Sequence, residues 1–198
     1  MRRVIVSMNV TLDGFFSGPR GELDWHFPLW NEEMSQSAYE QLSTMDTILL
    51  GRVTYQAMSC YWPKAPASDF GNMMNRLDKL VFSSTLHHAA WNNTRLVREE
   101  VTTEVARLKT QPGKNIILYG SGSIAACLKK AGLIDEYRIW VHPVVIGNGK
   151  ALFNLHDRMN LTLLRTKTFG SGVIVLYYQP HPITSATIPR CGKTASTF

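Results

Sequence analysis

Three kinds of short stretch in this chain combine residue types and spacings that could do chemistry. The first is Gly120-Ser121-Gly122-Ser123, which follows the apolar run Ile116-Ile117-Leu118-Tyr119. Beyond it, Ile124, Leu128 and Leu133 fall on one helical stripe with Lys129 and Lys130 on the other side. A strand-to-helix junction of this kind aims the unpaired N–H groups and positive dipole end of the helix at the carboxyl edge of a sheet. Glycines there let a pyrophosphate approach closely. The same residues also suit a plain tight connection in which Ser121 or Ser123 caps the helix. The second, Gly51-Arg52-Val53-Thr54-Tyr55 after Thr47-Ile48-Leu49-Leu50, repeats the arrangement and adds a guanidinium fork and a hydroxyl able to grip phosphate. Two such junctions on one sheet are harder to dismiss than one. Ser83-Ser84-Thr85, after Lys79-Leu80-Val81-Phe82, offers further hydroxyls or simply a polar turn. The third kind is a carboxylate, Asp13 of Asp13-Gly14, at the end of the first strand pattern. As residue types the pair reads as a turn; as a position it stands where open α/β sheets hold ligands.

These groups can act together only if a sheet positions them. Strand patterns occur at residues 3–10, 47–50, 79–82, 94–97, 116–119, 137–141, 161–166 and 172–178. Helical patterns cover 31–44, with Met34, Ala38 and Leu42 on one face, and 103–109, besides the helix after Gly122. The unit from Asn115 to Val141 is strand, turn, helix, strand, so its crossover is right-handed and its strands parallel. Residues 17–29 form a polar loop able to cover a ligand, in which Trp25 with Trp30 offers an aromatic wall or core packing; His26 reads as structural or solvent-facing. Residues 61–71 read as a loop, and Met73, Met74 and Leu77 as core or helix-face residues.

The chain has 198 residues, 44% hydrophobic and 18% charged, enough for one substantial core and typical of a globular domain. No apolar run approaches a membrane span and the start carries no signal-peptide pattern, so the expected location is the cytoplasm. Cys60, Cys127 and Cys191 are odd in number and lack a C-x-x-C pair, which argues against a disulfide framework and a zinc site; no metal is expected. The net charge of +6 comes from scattered Lys and Arg without a recognition motif. That excludes nucleic acid and suits a small anionic ligand or a solvated surface.

In their order, Thr11-Leu12-Asp13-Gly14, Gly51 to Tyr55, Lys79 to Thr85, Tyr119 to Ser123, and Ala131-Gly132-Leu133-Ile134-Asp135-Glu136 through Pro143 to Phe153 resemble the dihydrofolate-reductase-like family. The closer resemblance is to its branch similar to the reductase domain of bacterial riboflavin biosynthesis, over residues 3–178. The resemblance implies an α/β three-layer fold: a central mixed, mostly parallel sheet of about eight strands, helices on both faces and a C-terminal antiparallel hairpin. It implies NADPH across the carboxyl ends of the strands. Gly51, Arg52, Thr54, Gly120, Ser121, Gly122 and Ser123 would hold its phosphates, with Ser83 and Ser84 near the adenosine ribose and its 2′-phosphate. The implied reaction is hydride transfer to a small heterocyclic or ribosylaminopyrimidine-type substrate, as in a 5-amino-6-(5-phosphoribosylamino)uracil reductase. Asp13 would be the catalytic, substrate-contacting carboxylate, with a raised pKa if buried. Trp25, Gly147 and Gly149 would line the substrate side, the 143–153 loop alternatively serving a homodimer contact.

A Rossmann dehydrogenase is the structural rival, since Gly120-Ser121-Gly122-Ser123-Ile124-Ala125 fits G-x-G-x-x-A. Trp140-Val141-His142, however, supplies no ribose-binding acid. A folate reductase would carry an acid at its first long helix, for which Asp24, Glu32 and Glu33 are the choices, and no Pro-Cys-x-x-Cys deaminase motif occurs. Dihydrofolate reductase activity and a non-catalytic nucleotide-binding dimerisation module are the alternatives, the latter favoured by an Asp13 buried in a salt bridge. The domain is expected over 1–180, with 181–198 a loosely attached tail rich in Pro, Ser and Thr that could dock on a partner subunit.

Overall fold

The computed structural model describes residues 1–153 and 157–181. One eight-stranded sheet is formed by β1 (Val4–Thr11), β3 (Met45–Gly51), β4 (Asp78–Phe82), β5 (Thr94–Val97), β6 (Asn115–Tyr119), β7 (Glu136–His142), β9 (Asn160–Thr168) and β10 (Ile174–His181). A short clip pairs β2 (Phe15–Ser17) with β8 (Lys150–Ala151). The helices are α1 (Glu32–Ser43), α2 (Arg52–Tyr61), α3 (Asp69–Arg76), α4 (Val101–Thr110) and α5 (Gly122–Lys130).

Strand order is β5-β4-β3-β6-β1-β7-β10-β9, parallel from β5 to β7 and antiparallel for β10 and β9. Period-two alternation sends side chains to two cores. Val4, Val6, Leu49, Leu80, Ile116 and Leu118 meet Val105 and Leu108 of α4 and Ile124 and Leu128 of α5. Ile5, Ile48, Leu50, Val81 and Ile117 meet Leu42 of α1, Tyr55 of α2 and Met73 and Met74 of α3. Burial on both faces is why most of these strands read as nearly continuous apolar runs.

Right-handed crossovers determine where ligands can sit. The chain leaves β1 and β3 toward the α1–α3 face but leaves β6, which lies between them, toward the α4–α5 face. The diverging connections open a crevice at the carboxyl ends of these strands, the position at which open α/β sheets bind ligands.

The expected loop over 61–71 is a loop only at 65–68; the rest is the end of α2, a 3₁₀ turn at Trp62–Lys64 and the start of α3. Gly71 masks that helix in the sequence. A Cβ there would lie 3.0 Å from the Oγ of Ser68 and press on the residue whose side chain caps α3 by accepting from the Gly71 N–H. Helix α4 also begins two residues earlier than its stripe suggests. After α5, Gly132 takes φ +64 and donates to Lys129 O, while the Leu133 N–H donates to Leu128 O at 3.0 Å. This closing motif returns Leu133 to the core below α5. His181 still belongs to β10. The rest of the expected tail, and Cys191 with it, lies outside the described residues. Cys60 and Cys127 are free and exposed. Among the described residues no helix is long and apolar enough to cross a membrane.

Candidate active site

The two glycine junctions are neighbours. β3 and β6 pair in parallel with Leu49 opposite Leu118, so Gly51 and Gly120 leave the sheet side by side. Ser121 adopts the left-handed region (φ 57°, ψ 67°), uncommon for a residue with a Cβ. From there its Oγ accepts from the Gly51 N–H at 2.6 Å and lies 3.0 Å from Thr54 Oγ1. A Cβ on Gly51 would stand 2.8 Å from Ser121 Oγ, and one on Gly120 2.9 Å from Thr54 Oγ1, so the two turns interlock only as glycines. Ser121 therefore occupies the N-cap position of α5, but its hydroxyl joins the two turns instead of capping the helix.

Neither α2 nor α5 has a side-chain cap or an acidic residue in its first turn. α1 and α3 have both: Asn31 caps α1 ahead of Glu32 and Glu33, and Ser68 caps α3 ahead of Asp69. The first amides of α2 and α5, with no intrahelical acceptor, thus share one edge with positive dipole ends and no competing anion. Arg52 is exposed, donates to Gln56 Oε1 at 3.1 Å, and has no carboxylate partner among the described residues. This donor set fits the phosphates of a dinucleotide.

β4 pairs Phe82 with Gly51, which brings Ser83 next to the start of α2. Ser83 Oγ accepts from the amides of Thr85 and Leu86, a polar turn, and Ser84 is exposed. Sequence reading passed over Arg98, whose guanidinium donates to Ser83 O and Leu86 O and adds a cation beside this turn. It also passed over Phe16, whose ring lies against the first turn of α5: a Cβ on Gly122 would be 2.5 Å from Phe16 Cζ.

The other half of the edge lies at β1 and β7. Asp13 is exposed, and its carboxylate accepts from the Gly147 N–H at 2.8 Å and the Ile146 N–H at 3.3 Å. The Thr11 hydroxyl first, then these two amides, hold its pKa below the usual carboxylate value. Desolvation, which by itself would raise it, is outweighed by these bonds at so exposed a site, so Asp13 is an ionised acceptor at neutral pH. Gly147 (φ +72) faces open space, whereas Gly149 has no room for a Cβ, which would be 2.3 Å from Ser17 O. Residues 143–153 are thereby stitched to residues 12–17 through Asp13 and the β2–β8 clip.

Facing α1, β1 presents Ile5, Ser7, Asn9 and Thr11. Ser7 Oγ accepts from Gln41 Nε2 at 2.9 Å and from Trp140 Nε1 at 3.3 Å, and Asn9 Oδ1 lies 3.0 Å from His142 Nε2. The overlooked signal was the alternation V-I-V-S-M-N-V-T: polar residues at every second position of a strand buried on both faces mark the face that hosts chemistry. Trp25 packs edge-on against His142, centroids 5.2 Å apart, and His26 lies 5.7 Å from the same ring. Trp30 stacks on Trp140 at 5.9 Å and so joins the core. Desolvation first, then His26, pushes His142 down to about 4, and desolvation also lowers His26. Asp24, Glu32 and Glu33 are all exposed. Leu12, Phe27 and Val145 leave apolar surface on the rim. Among the described residues no cluster of three or more His, Cys, Asp or Glu could hold a metal.

A mostly parallel eight-stranded sheet ending in an antiparallel hairpin, with helices on both faces, is the fold of the dihydrofolate-reductase-like class. Within that class the chain belongs to the RibD C-terminal domain family, whose profile matches residues 2–175. It is 37% identical over 182 residues to the uncharacterized Bacillus subtilis protein YyaP, covering 89% of this chain and 94% of that one. A candidate riboflavin biosynthesis protein from Shewanella sp. PV-4 has the same fold, with TM-score 0.71 and 22% identity over 90% of this chain and 99% of that one. A dihydrofolate reductase from Enterococcus faecalis, complexed with NADP(H), gives TM-score 0.61 and 14% identity over 90% and 96%.

Proposed function

We propose that the protein is an NADPH-dependent reductase acting on a small heterocyclic or ribosylaminopyrimidine-type substrate. The observation that carries this reading is the pair of uncapped, acid-free helix starts locked together by Ser121 beside Arg52. The cofactor's contribution is the hydride. The chain's own residues do the rest. Amides of α2 and α5 bind phosphate oxygens, Arg52 adds a bidentate charge-assisted contact, and Ser84 with Arg98 meets the adenosine end. Asp13, kept ionised by the Gly147 and Ile146 amides, holds an N–H or O–H of the substrate and orients it. The apolar rim of Leu12, Phe27 and Val145 excludes water once a flat ring covers it.

Dihydrofolate reductase activity is disfavoured because none of the three candidate acids is buried beside the polar row of β1: Asp24, Glu32 and Glu33 are all exposed, and Glu33 accepts from the Gly170 N–H at 3.2 Å. The non-catalytic module is disfavoured because Asp13 stands exposed at the edge, without a salt bridge among the described residues. The test is titration of the purified protein with NADPH and separately NADH, followed by nicotinamide fluorescence. Tight NADPH binding, weakened at least about tenfold by Arg52→Ala, supports the reading. Binding of neither nucleotide overturns it.

A further inference from the structure

Two buried polar atoms on the substrate half of the edge lack partners, and they belong to rings in contact: Trp25 Nε1 and His142 Nδ1. Buried polar groups are nearly always satisfied, so a donor and an acceptor orphaned together call for an explanation. Their hydrogen-bonding roles follow from the neighbours. Asn9 Oδ1 can only accept, so the His142 nitrogen facing it at 3.0 Å, Nε2, carries the proton. A neutral imidazole then leaves Nδ1 as a bare lone pair, and desolvation together with nearby His26 keeps His142 neutral well below pH 7. The Trp25 indole N–H can only donate. The site therefore offers one acceptor and one donor on two rings in edge contact, centroids 5.2 Å apart, in an aromatic surround.

We infer that Asn9, His142 and Trp25 form a subsite for the cyclic amide edge of a flat heterocycle, its ring N–H donating to His142 Nδ1 and its C=O accepting from Trp25 Nε1–H. The inference deepens the proposed reductase reading and rests on it for the ring's purpose there. A carboxylate or phosphate oxygen would set lone pairs against Nδ1, and an N-alkylated ring has no hydrogen to give, so both are rejected. His142 is fully buried beneath Trp25 and His26, so the ring enters as that turn lifts. Among the described residues the backbone hydrogen bonds of segment 18–30 close within the segment, as Gly18 to Glu22, His26 to Leu23 and Leu29 to His26 show. Lifting its Trp25–His26 turn breaks no ladder of the sheet, while Leu29 and Trp30 stay packed on the core.

The test uses ¹⁵N-labelled full-length protein. Of the indole N–H signals expected from the five tryptophans, the one missing in Trp25→Phe is that of Trp25. Titration with 6-aminouracil should move that signal, 1,3-dimethyl-6-aminouracil should not, and Trp25→Phe should weaken 6-aminouracil about tenfold. His142→Phe, which keeps a ring of similar size, should weaken it likewise. Binding of both compounds alike, or of 6-aminouracil without a Trp25 shift, overturns the subsite, as does no binding. NADPH affinity is measured on the same sample: if NADPH binds and Trp25 stays still, the subsite fails and the reductase reading stands. If Trp25 responds and NADPH does not bind, the reverse holds.

Discussion

The two halves of the carboxyl edge treat their polar groups in opposite ways. At β4, β3 and β6 the edge is left open to an anion: two helix starts have neither cap nor acid, and the exposed cations Arg52 and Arg98 are bonded only to neutral oxygens among the described residues. At β1 and β7 the polar groups other than the exposed Asp13 are covered: His142, bonded to Asn9, lies beneath Trp25, and α1, which starts nearby, is closed by Asn31 and shielded by Glu32 and Glu33. An open donor array costs the fold little because water solvates it, and it favours a ligand bringing negative charge. A covered neutral site excludes such a ligand and selects an uncharged one by hydrogen-bond pattern. The contrast separates a half built for phosphates from a half built for a ring.

The largest expected effect tests the covered half through acid. His142 has a folded pKa of about 4 against an ordinary 6.5, so between those values the unfolded chain binds the proton and the fold does not. Its contribution is fully present above pH 6.5 and is lost as pH falls to about 4, at most about 3 kcal/mol. Thermal unfolding followed from pH 7 to pH 4 should show this loss in the native protein, and His142→Leu should flatten that part of the profile. A native profile already flat there would mean that His142 is not held neutral, and the contrast would collapse.

The open half is tested by filling it. Ser123→Asp sets a carboxylate on the first turn of α5, where it complements the dipole and competes with a phosphate. NADPH affinity should drop about thirtyfold, roughly 2 kcal/mol, while the unliganded protein melts at the same temperature or slightly higher. Unchanged affinity would show that the phosphates do not use this helix.

Much of this division was legible in the sequence, for definite reasons. Strands buried on both faces read as apolar runs, and the glycines at 51 and 120 stood out because interlocking turns tolerate nothing larger. Asp13 was found, but its state was not: residue type cannot reveal that Gly147 and Ile146, more than 130 positions along the chain, would turn their amides toward it. His142 was masked for a similar reason, since a histidine at a strand end carries no local sign that Asn9 fixes its proton and Trp25 covers it. The uncapped state of α5 was hidden by Ser121, a good capping residue whose left-handed backbone carries its hydroxyl to Gly51 instead.

The smallest effect isolates the caps themselves. Asn31 Oδ1 accepts from the Met34 N–H at 2.9 Å, and Met34 is fully buried, so the cap also fixes where α1 enters the core. Asn31→Ala should cost about 1 kcal/mol of stability, read from denaturant unfolding, because it orphans that amide. Nucleotide affinity should not change: the freed amide still lies behind Glu32 and Glu33, whose charges repel a phosphate from the turn. Were Asn31→Ala to bind NADPH more tightly, the anion preference would belong to any uncapped helix start, and the absence of acidic residues from α2 and α5 would lose its meaning. Equal affinity with lower stability instead separates the two design features, capping for the fold and bareness for the ligand.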